Sequence, residues 1–176
     1  DIDDSAFCQR YSLTNIEIPD NVVHIGMSAF ENCTALKSAI IGSSVTDIEA
    51  DTFRYCTSLI SVNILGDIIS IPYKMFVDCH NLTSVVIPNS VALIKSWAFG
   101  RCKSLESITI PNSVTNIDEY AFSGCIALTD IIYTGDIAQW NAITFGVDWN
   151  GGMPDYTIHC TDGDIAKDGT ITYHNA

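Results

Sequence analysis

The chain has 176 residues, 47% of them hydrophobic, with 21 acidic against 8 basic side chains and a formal net charge of −13. That excess of acid excludes a nucleic-acid binder, whose phosphates call for Lys and Arg, and disfavours an anionic membrane surface. No apolar run reaches the roughly 18 residues that a spanning helix needs and no signal peptide is present, so one domain with a continuous core is expected.

Taken in order, the chain is a repeat. Phenylalanine recurs at Phe7, Phe30, Phe53, Phe76, Phe99, Phe122 and Phe145, with a constant step of 23 residues. Leucine follows at Leu13, Leu36, Leu59, Leu82, Leu105 and Leu128, and between the two columns lie Cys33, Cys56, Cys79, Cys102 and Cys125. Two β-branched columns come next, typified by Ile110 and Val114, and an isoleucine column at Ile25, Ile48, Ile71, Ile94 and Ile117 closes the unit. A fixed period with identical apolar slots is the signature of a solenoid, where each coil buries its inner face against its neighbours.

Residues 1–25 form a first, irregular coil. Because the chain starts at Asp1, partway through a coil, an export signal and further coils are expected upstream. The second coil has the smaller Ala39 in a packing slot. The third replaces the Pro-Asn-Ser turn with Leu65-Gly66-Asp67. The fourth and fifth follow the consensus most closely. Within the unit, the alternation of Ile108 and Ile110 predicts a strand with one buried face. Pro111-Asn112-Ser113 stops it, and Val114 to Ile117 predicts a second short strand. Asp118 to Cys125 predicts a turn of helix with acids at its start.

The sixth coil breaks the pattern. Tyr133 and Trp140 take isoleucine slots, Phe145 holds the phenylalanine register, and Asp148 stands in the cysteine column. Trp140, Trp149 and Tyr156 suit a lid over the last apolar face. Gly151 to Pro154 reads as a loop. Tyr156 to Cys160 and Asp168 to Tyr173 predict a two-stranded C-terminal hairpin. The expected division is a solenoid over residues 1–134 and a degenerate coil plus cap over 135–176.

The pattern A-F-x-x-C-x-x-L-x-x-I-x-I-P-x-x-V-x-x-I resembles the 23-residue leucine-rich repeats of BspA-like bacterial surface proteins. It covers roughly residues 1–134, and Tyr133 to Gly146 looks like the end cap of such arrays. The resemblance implies an α/β repeat solenoid with a parallel sheet of short strands, short helical turns and a C-terminal cap hairpin. It also implies an extracellular or cell-surface location, and partner binding on the sheet face.

Candidate chemistry is sparse. His24, His80, His159 and His174 have no metal-ligand spacing. His159 beside Cys160 reads as two ordinary strand residues rather than a zinc pair. Asp162, Asp164 and Asp168 could lend oxygens to calcium, but their spacing is not that of an EF-hand, and a turn rich in Asp and Gly is the simpler account. The cysteine column reads as a ladder of small apolar thiols, because parallel inward side chains resist the disulfide dihedral. Cys8 and Cys160 lie at opposite ends and are expected not to pair. No cofactor, metal site or catalytic motif is expected, and the chain reads as non-enzymatic.

Two surfaces remain. On the long strand the outward slots form ladders, with Ser38, Ser61, Ser84 and Ser107 in one and Ile40, Asn63, Val86 and Thr109 in the next. These are the candidate contacts for a protein partner on a host or another cell. On the turn edge, Tyr73, Trp97 and Tyr120 occupy neighbouring positions of successive coils. They form an aromatic patch suited to a glycan or a protein anchor. The leading expectation is a binding or adhesion module. A structural spacer and a carbohydrate-binding protein are the alternatives.

Overall fold

The computed structural model describes residues 1–174. Each repeat makes one coil: a long strand, a tight corner, a short strand, and a broad turn that carries the phenylalanine. The long strands are Asn15–Ile18, Ser38–Ile41, Ser61–Ile64, Ser84–Val86, Ser107–Ile110, Asp130–Tyr133 and Thr157–His159. The short ones are His24–Ile25, Asp47–Ile48, Ser70–Ile71, Leu93–Ile94, Asn116–Ile117 and Thr144–Phe145. All of these pair in parallel, long with long and short with short. The result is a parallel-strand β-solenoid of about six turns.

The core follows from the columns. In Ser107–Ile110, Ile108 and Ile110 face inward and are buried, while Ser107 and Thr109 face out. Phe30, Phe53, Phe76, Phe99 and Phe122 are fully buried. Their rings stack at 5.3 Å between Phe30 and Phe53 and 5.1 Å between Phe99 and Phe122. That spacing is close to the ~4.8 Å between strands, and the small excess reflects the offset that aromatic faces prefer.

The cysteines are free. Each thiol of the column Cys33 to Cys125 donates to the phenylalanine carbonyl of the preceding coil, as Cys56 does to Phe30 O at 3.1 Å, Cys79 to Phe53 O at 3.1 Å, and Cys125 to Phe99 O at 3.0 Å. Burial raises the Cys56, Cys79 and Cys102 thiols far above the ordinary range. They therefore stay protonated and act as small apolar donors.

The expected helical turns do not form. Among the described residues the one α-helix is Ile137–Asn141, in the cap. In each coil two residues flanking the phenylalanine adopt the left-handed conformation, such as Ser28 (φ 55°) and Asn32 (φ 58°), or Trp97 (φ 59°) and Arg101 (φ 59°). This geometry aims alternate N–H groups along the stack. Ser28, Phe30 and Asn32 donate to the carbonyls of Ala50, Thr52 and Arg54 in the next coil. A lone helical turn leaves most of its donors without partners, whereas a neighbouring coil satisfies them. The α/β description therefore gives way to an all-β solenoid.

The cap departs from expectation in two ways. Phe145 pairs in register with Ile117, so it occupies the isoleucine column rather than the phenylalanine column. From Ile117 to its partner Phe145 the chain takes 28 residues instead of 23, and the extra length holds the helix Ile137–Asn141. Asp136 and Gln139 form its capping box, with Asp136 Oδ1 accepting from Gln139 N at 2.7 Å and Gln139 Oε1 accepting from Asp136 N at 3.0 Å. Trp140 thus leaves the repeat, and its ring meets Tyr133 at 5.2 Å and Phe145 at 5.4 Å. Asp148 takes the left-handed slot that Tyr120 fills one coil earlier (φ 49° and 58°), not the cysteine slot. The predicted hairpin is instead a three-stranded meander. Thr157–His159 adds in parallel to Asp130–Tyr133, then pairs antiparallel with Gly163–Ala166, which pairs antiparallel with Ile171–Tyr173.

Candidate functional site

The long-strand face brings the predicted ladder residues into strict register. Ser38, Ser61 and Ser84 stand side by side, as do Ile40, Asn63 and Val86. Ser107 and Thr109 begin a second ladder that continues to Asp130 and Ile132. Ser38 Oγ donates to Asn15 Oδ1 at 2.7 Å. Ile40, Val86 and Ile132 are exposed, at 39%, 54% and 45%. The face is therefore a flat ribbon of serines with isolated aliphatic side chains. It lacks the Trp, Tyr and Arg anchors that concentrate binding energy.

At the cap end the same face becomes ionic. His159 follows Ile132 in the outward column. Its Nε2 lies 3.0 Å from Asp130 Oδ1 and its Nδ1 2.9 Å from Asp164 Oδ1, and His174 approaches Asp164 at 3.4 Å. Burial alone would lower the His159 pKa, but hydrogen bonds to the two carboxylates outweigh it and raise it above the ordinary value. Hydrogen bonds from Thr129 and His159 lower Asp130, and one from His159 lowers Asp164. Asp162 accepts from Ile137 N and Asp168 from Thr170 N, at 2.9 Å each, so these carboxylates brace the cap. Among the described residues no three His, Cys, Asp or Glu side chains are grouped to hold a metal.

The turn edge differs from both. Trp97 and Tyr120, predicted as neighbours, stack at 5.0 Å with planes 24° apart, and both are half-buried. Trp97 also packs down on Gly100, where an added Cβ would lie 2.6 Å from the indole. Tyr73 is not in that stack. It lies 41% exposed in the lining of a groove of about 260 Å³, with Lys74 Nζ over its ring at 4.8 Å. The groove is lined by Arg54, Tyr55, Tyr73, Lys74, Val77, Asp78, Trp97 and Arg101. Arg101 Nη1 lies 3.5 Å from Asp78 Oδ2, and His80 Nε2 lies 3.1 Å from Asp78 Oδ1.

Sequence reasoning missed Arg54, Tyr55, Asp78 and Arg101. A signal existed, because all four occupy the two positions that follow the phenylalanine, on successive coils. They line one groove only because three coils stack with no lateral shift.

A larger cavity, of about 500 Å³, lies against the cap between Asp130, Asp155, Tyr156 and Lys167. Lys167 Nζ donates there to the Met153 and Pro154 carbonyls at 2.8 and 2.9 Å, which commits it to holding the loop. Among the described residues no helix is long and apolar enough to cross a membrane.

The repeats match the family model described as a BspA type leucine rich repeat region, in 6 copies over residues 1–129. Among solved structures, a leucine-rich repeat protein from Bacteroides ovatus ATCC 8483 is 30% identical with a TM-score of 0.73, covering 85% of this chain and 37% of that one. The leucine rich repeat protein of T. pallidum is 28% identical with a TM-score of 0.70, covering 82% of this chain and 65% of that one. A leucine-rich repeat protein from Eubacterium ventriosum ATCC 27560, at 23% identity and a TM-score of 0.63, shares the fold. The chain thus spans about a third of the first protein's length and just under two thirds of the second's. No curated protein matches it.

Proposed function

Because the chain belongs to the BspA-type leucine-rich repeat family, we propose that it is a non-enzymatic, protein-binding module that engages its partner along the long-strand face. In this reading it works outside the cell, secreted or held on a bacterial surface, and contacts a protein of the host or of a neighbouring cell. The observation that carries the reading is the in-register ribbon of Ser38, Ser61 and Ser84 beside Ile40, Asn63 and Val86. Small side chains let a partner approach closely, and the exposed aliphatics give it apolar area. Contact adds up coil by coil, as repeat surfaces allow.

The test is a screen of the purified chain against an array of extracellular-matrix proteins, beside the double variant Ser61→Arg/Ser84→Arg. Both positions lie on the outward face, and a cooperative melt of the variant is the check that it folds. A protein captured by the wild type and lost by the variant is the expected result. Capture that survives both arginines removes the strand face as the contact surface. Silence from the whole array favours a structural spacer.

A further inference from the structure

We propose that the turn-edge groove is a second binding site, whose ligand is a sugar ring bearing a carboxylate, such as the terminal acidic residue of a glycan. The site is separate from the strand face and does not depend on the protein-binding reading.

The first observation is charge. The chain carries 8 basic residues against 21 acidic ones, yet three of the eight, Arg54, Lys74 and Arg101, line this one groove. A cationic cleft in an acidic molecule draws anions to itself. Two of the three keep hydrogen-bonding capacity to spare. Among the described residues Lys74 has no carboxylate within 4.0 Å. The Arg101 side chain is 57% exposed and reaches Asp78 only at 3.5 Å. Arg54 is already engaged, with Nη1 3.2 Å from Asp51 Oδ1 and 3.8 Å from Glu31 Oε1 and Nη2 donating to the Tyr55 hydroxyl at 3.0 Å, so Lys74 and Arg101 are the cations left for a ligand.

The second observation is the aromatic wall. Tyr120 covers one face of Trp97 from the following coil, and the groove lies on the side of the preceding coils. Tyr120 is therefore the backing of the site rather than a contact, which revises its expected role. Trp97, with the Arg101 guanidinium 5.9 Å from its ring centroid, and the exposed ring of Tyr73 beside Lys74 give the groove aromatic surface that suits the C–H faces of a pyranose. The indole also stands in a left-handed slot, at φ 59°, where other coils place Ser28 and Asp51.

The third observation is size and polarity together. About 260 Å³ is below the range of drug-sized pockets and admits one ring. Asp78, almost buried in the lining, faces His80 Nε2 at 3.1 Å and holds Arg101 in place at 3.5 Å. An acidic peptide would use the cations but leave the flat aromatic wall without a role.

The test is calorimetric titration of the whole chain with trigalacturonic acid and, separately, with sialyllactose. The methyl ester of the first and plain lactose serve as uncharged controls. Binding of either acid, weakened about tenfold or more by esterification or loss of the acidic sugar, is expected. The arm that binds tells a uronic acid from a sialic acid. Three variants take residues from equivalent slots of this same chain, so they fit the backbone: Lys74→Ser and Trp97→Ser after Ser28, and Arg101→Asn after Asn32. Each should melt as a single cooperative unit, and each should weaken the acid about tenfold. Added salt should weaken it in the wild type. Equal affinity for acid and ester, unchanged affinity in folded variants, or no binding of either acid overturns the proposal.

Discussion

The repeat array and the cap bury apolar surface by opposite means. From Phe30 to Phe122 one ring is copied coil after coil, each stacked on the next with nearly parallel planes, as at 4° between Phe99 and Phe122. Beyond Phe122 the copying stops. Trp149 meets Phe122 edge-on, at 6.2 Å and 85°, and Trp140, Phe145 and Tyr156 gather around Trp149 at mixed angles. A stack can be extended by repetition but cannot be ended by it. The last ring needs a partner that offers an edge and carries a polar rim, and tryptophan and tyrosine provide both. Tyr156 shows this, with its hydroxyl accepting from Asn150 Nδ2 at 2.8 Å.

That contrast can be broken most sharply by removing one side of it. A chain ending at Thr134 would uncover Leu128, Ile131 and Tyr133, which are fully or almost fully buried. We expect it to aggregate, because solenoid ends need a capping coil for solubility. A soluble truncate with a sharp melt would show that the array needs no lid.

Single substitutions sharpen the comparison. Phe76→Ala empties a fully buried site between two stacked rings and should cost about 4 kcal/mol. Trp140→Ala removes a residue that is 4% exposed and should cost about 3 kcal/mol. The location of the damage should differ as well. Hydrogen exchange should rise throughout the array for Phe76→Ala, but only in the cap and the adjoining coil for Trp140→Ala. Uniform loosening in both variants would mean that cap and array melt as one unit.

The smallest effect concerns pH. His159 titrates above the ordinary imidazole value in the fold, so its contribution is complete below about pH 6.5 and fades as pH rises through the raised folded value. Asp130 and Asp164 titrate below the ordinary carboxylate value, so theirs is complete above about pH 4 and fades as pH falls through the lowered folded values. The cap network is therefore strongest between about pH 4 and 6.5. These side chains are well exposed, so the loss on going to pH 8 should be about 1 kcal/mol or less, a shift of roughly 2–4 °C in Tm. His159→Gln should flatten that slope.

The array was legible because its information is periodic. A column such as Phe30 to Phe122, or Cys33 to Cys125, states its own burial five times over. The cap states each fact once. Nothing in its spacing reveals that Ile137–Asn141 inserts a helix and shifts Phe145 into the isoleucine column. The strand Gly163–Ala166 was read as turn because Gly163 and Asp164 favour turns, and its pairing with Thr157–His159 overrides that preference. The turns were read as helix for a related reason. Their left-handed residues are stable only where the next coil accepts their N–H groups, as Ala50 O does for Ser28 N at 3.0 Å.

The sequence by itself determined the period, the core columns and the number of coils, because burial repeated at one step leaves no other arrangement for so many apolar side chains. Stacking decided the rest. It set which backbone groups were satisfied between coils, and so replaced helix by left-handed turns. It also placed Arg54, Lys74, Trp97 and Arg101 around one groove. Those residues stand in three columns and three coils, and no local pattern links them. They meet because parallel pairing holds successive coils in register about 4.8 Å apart.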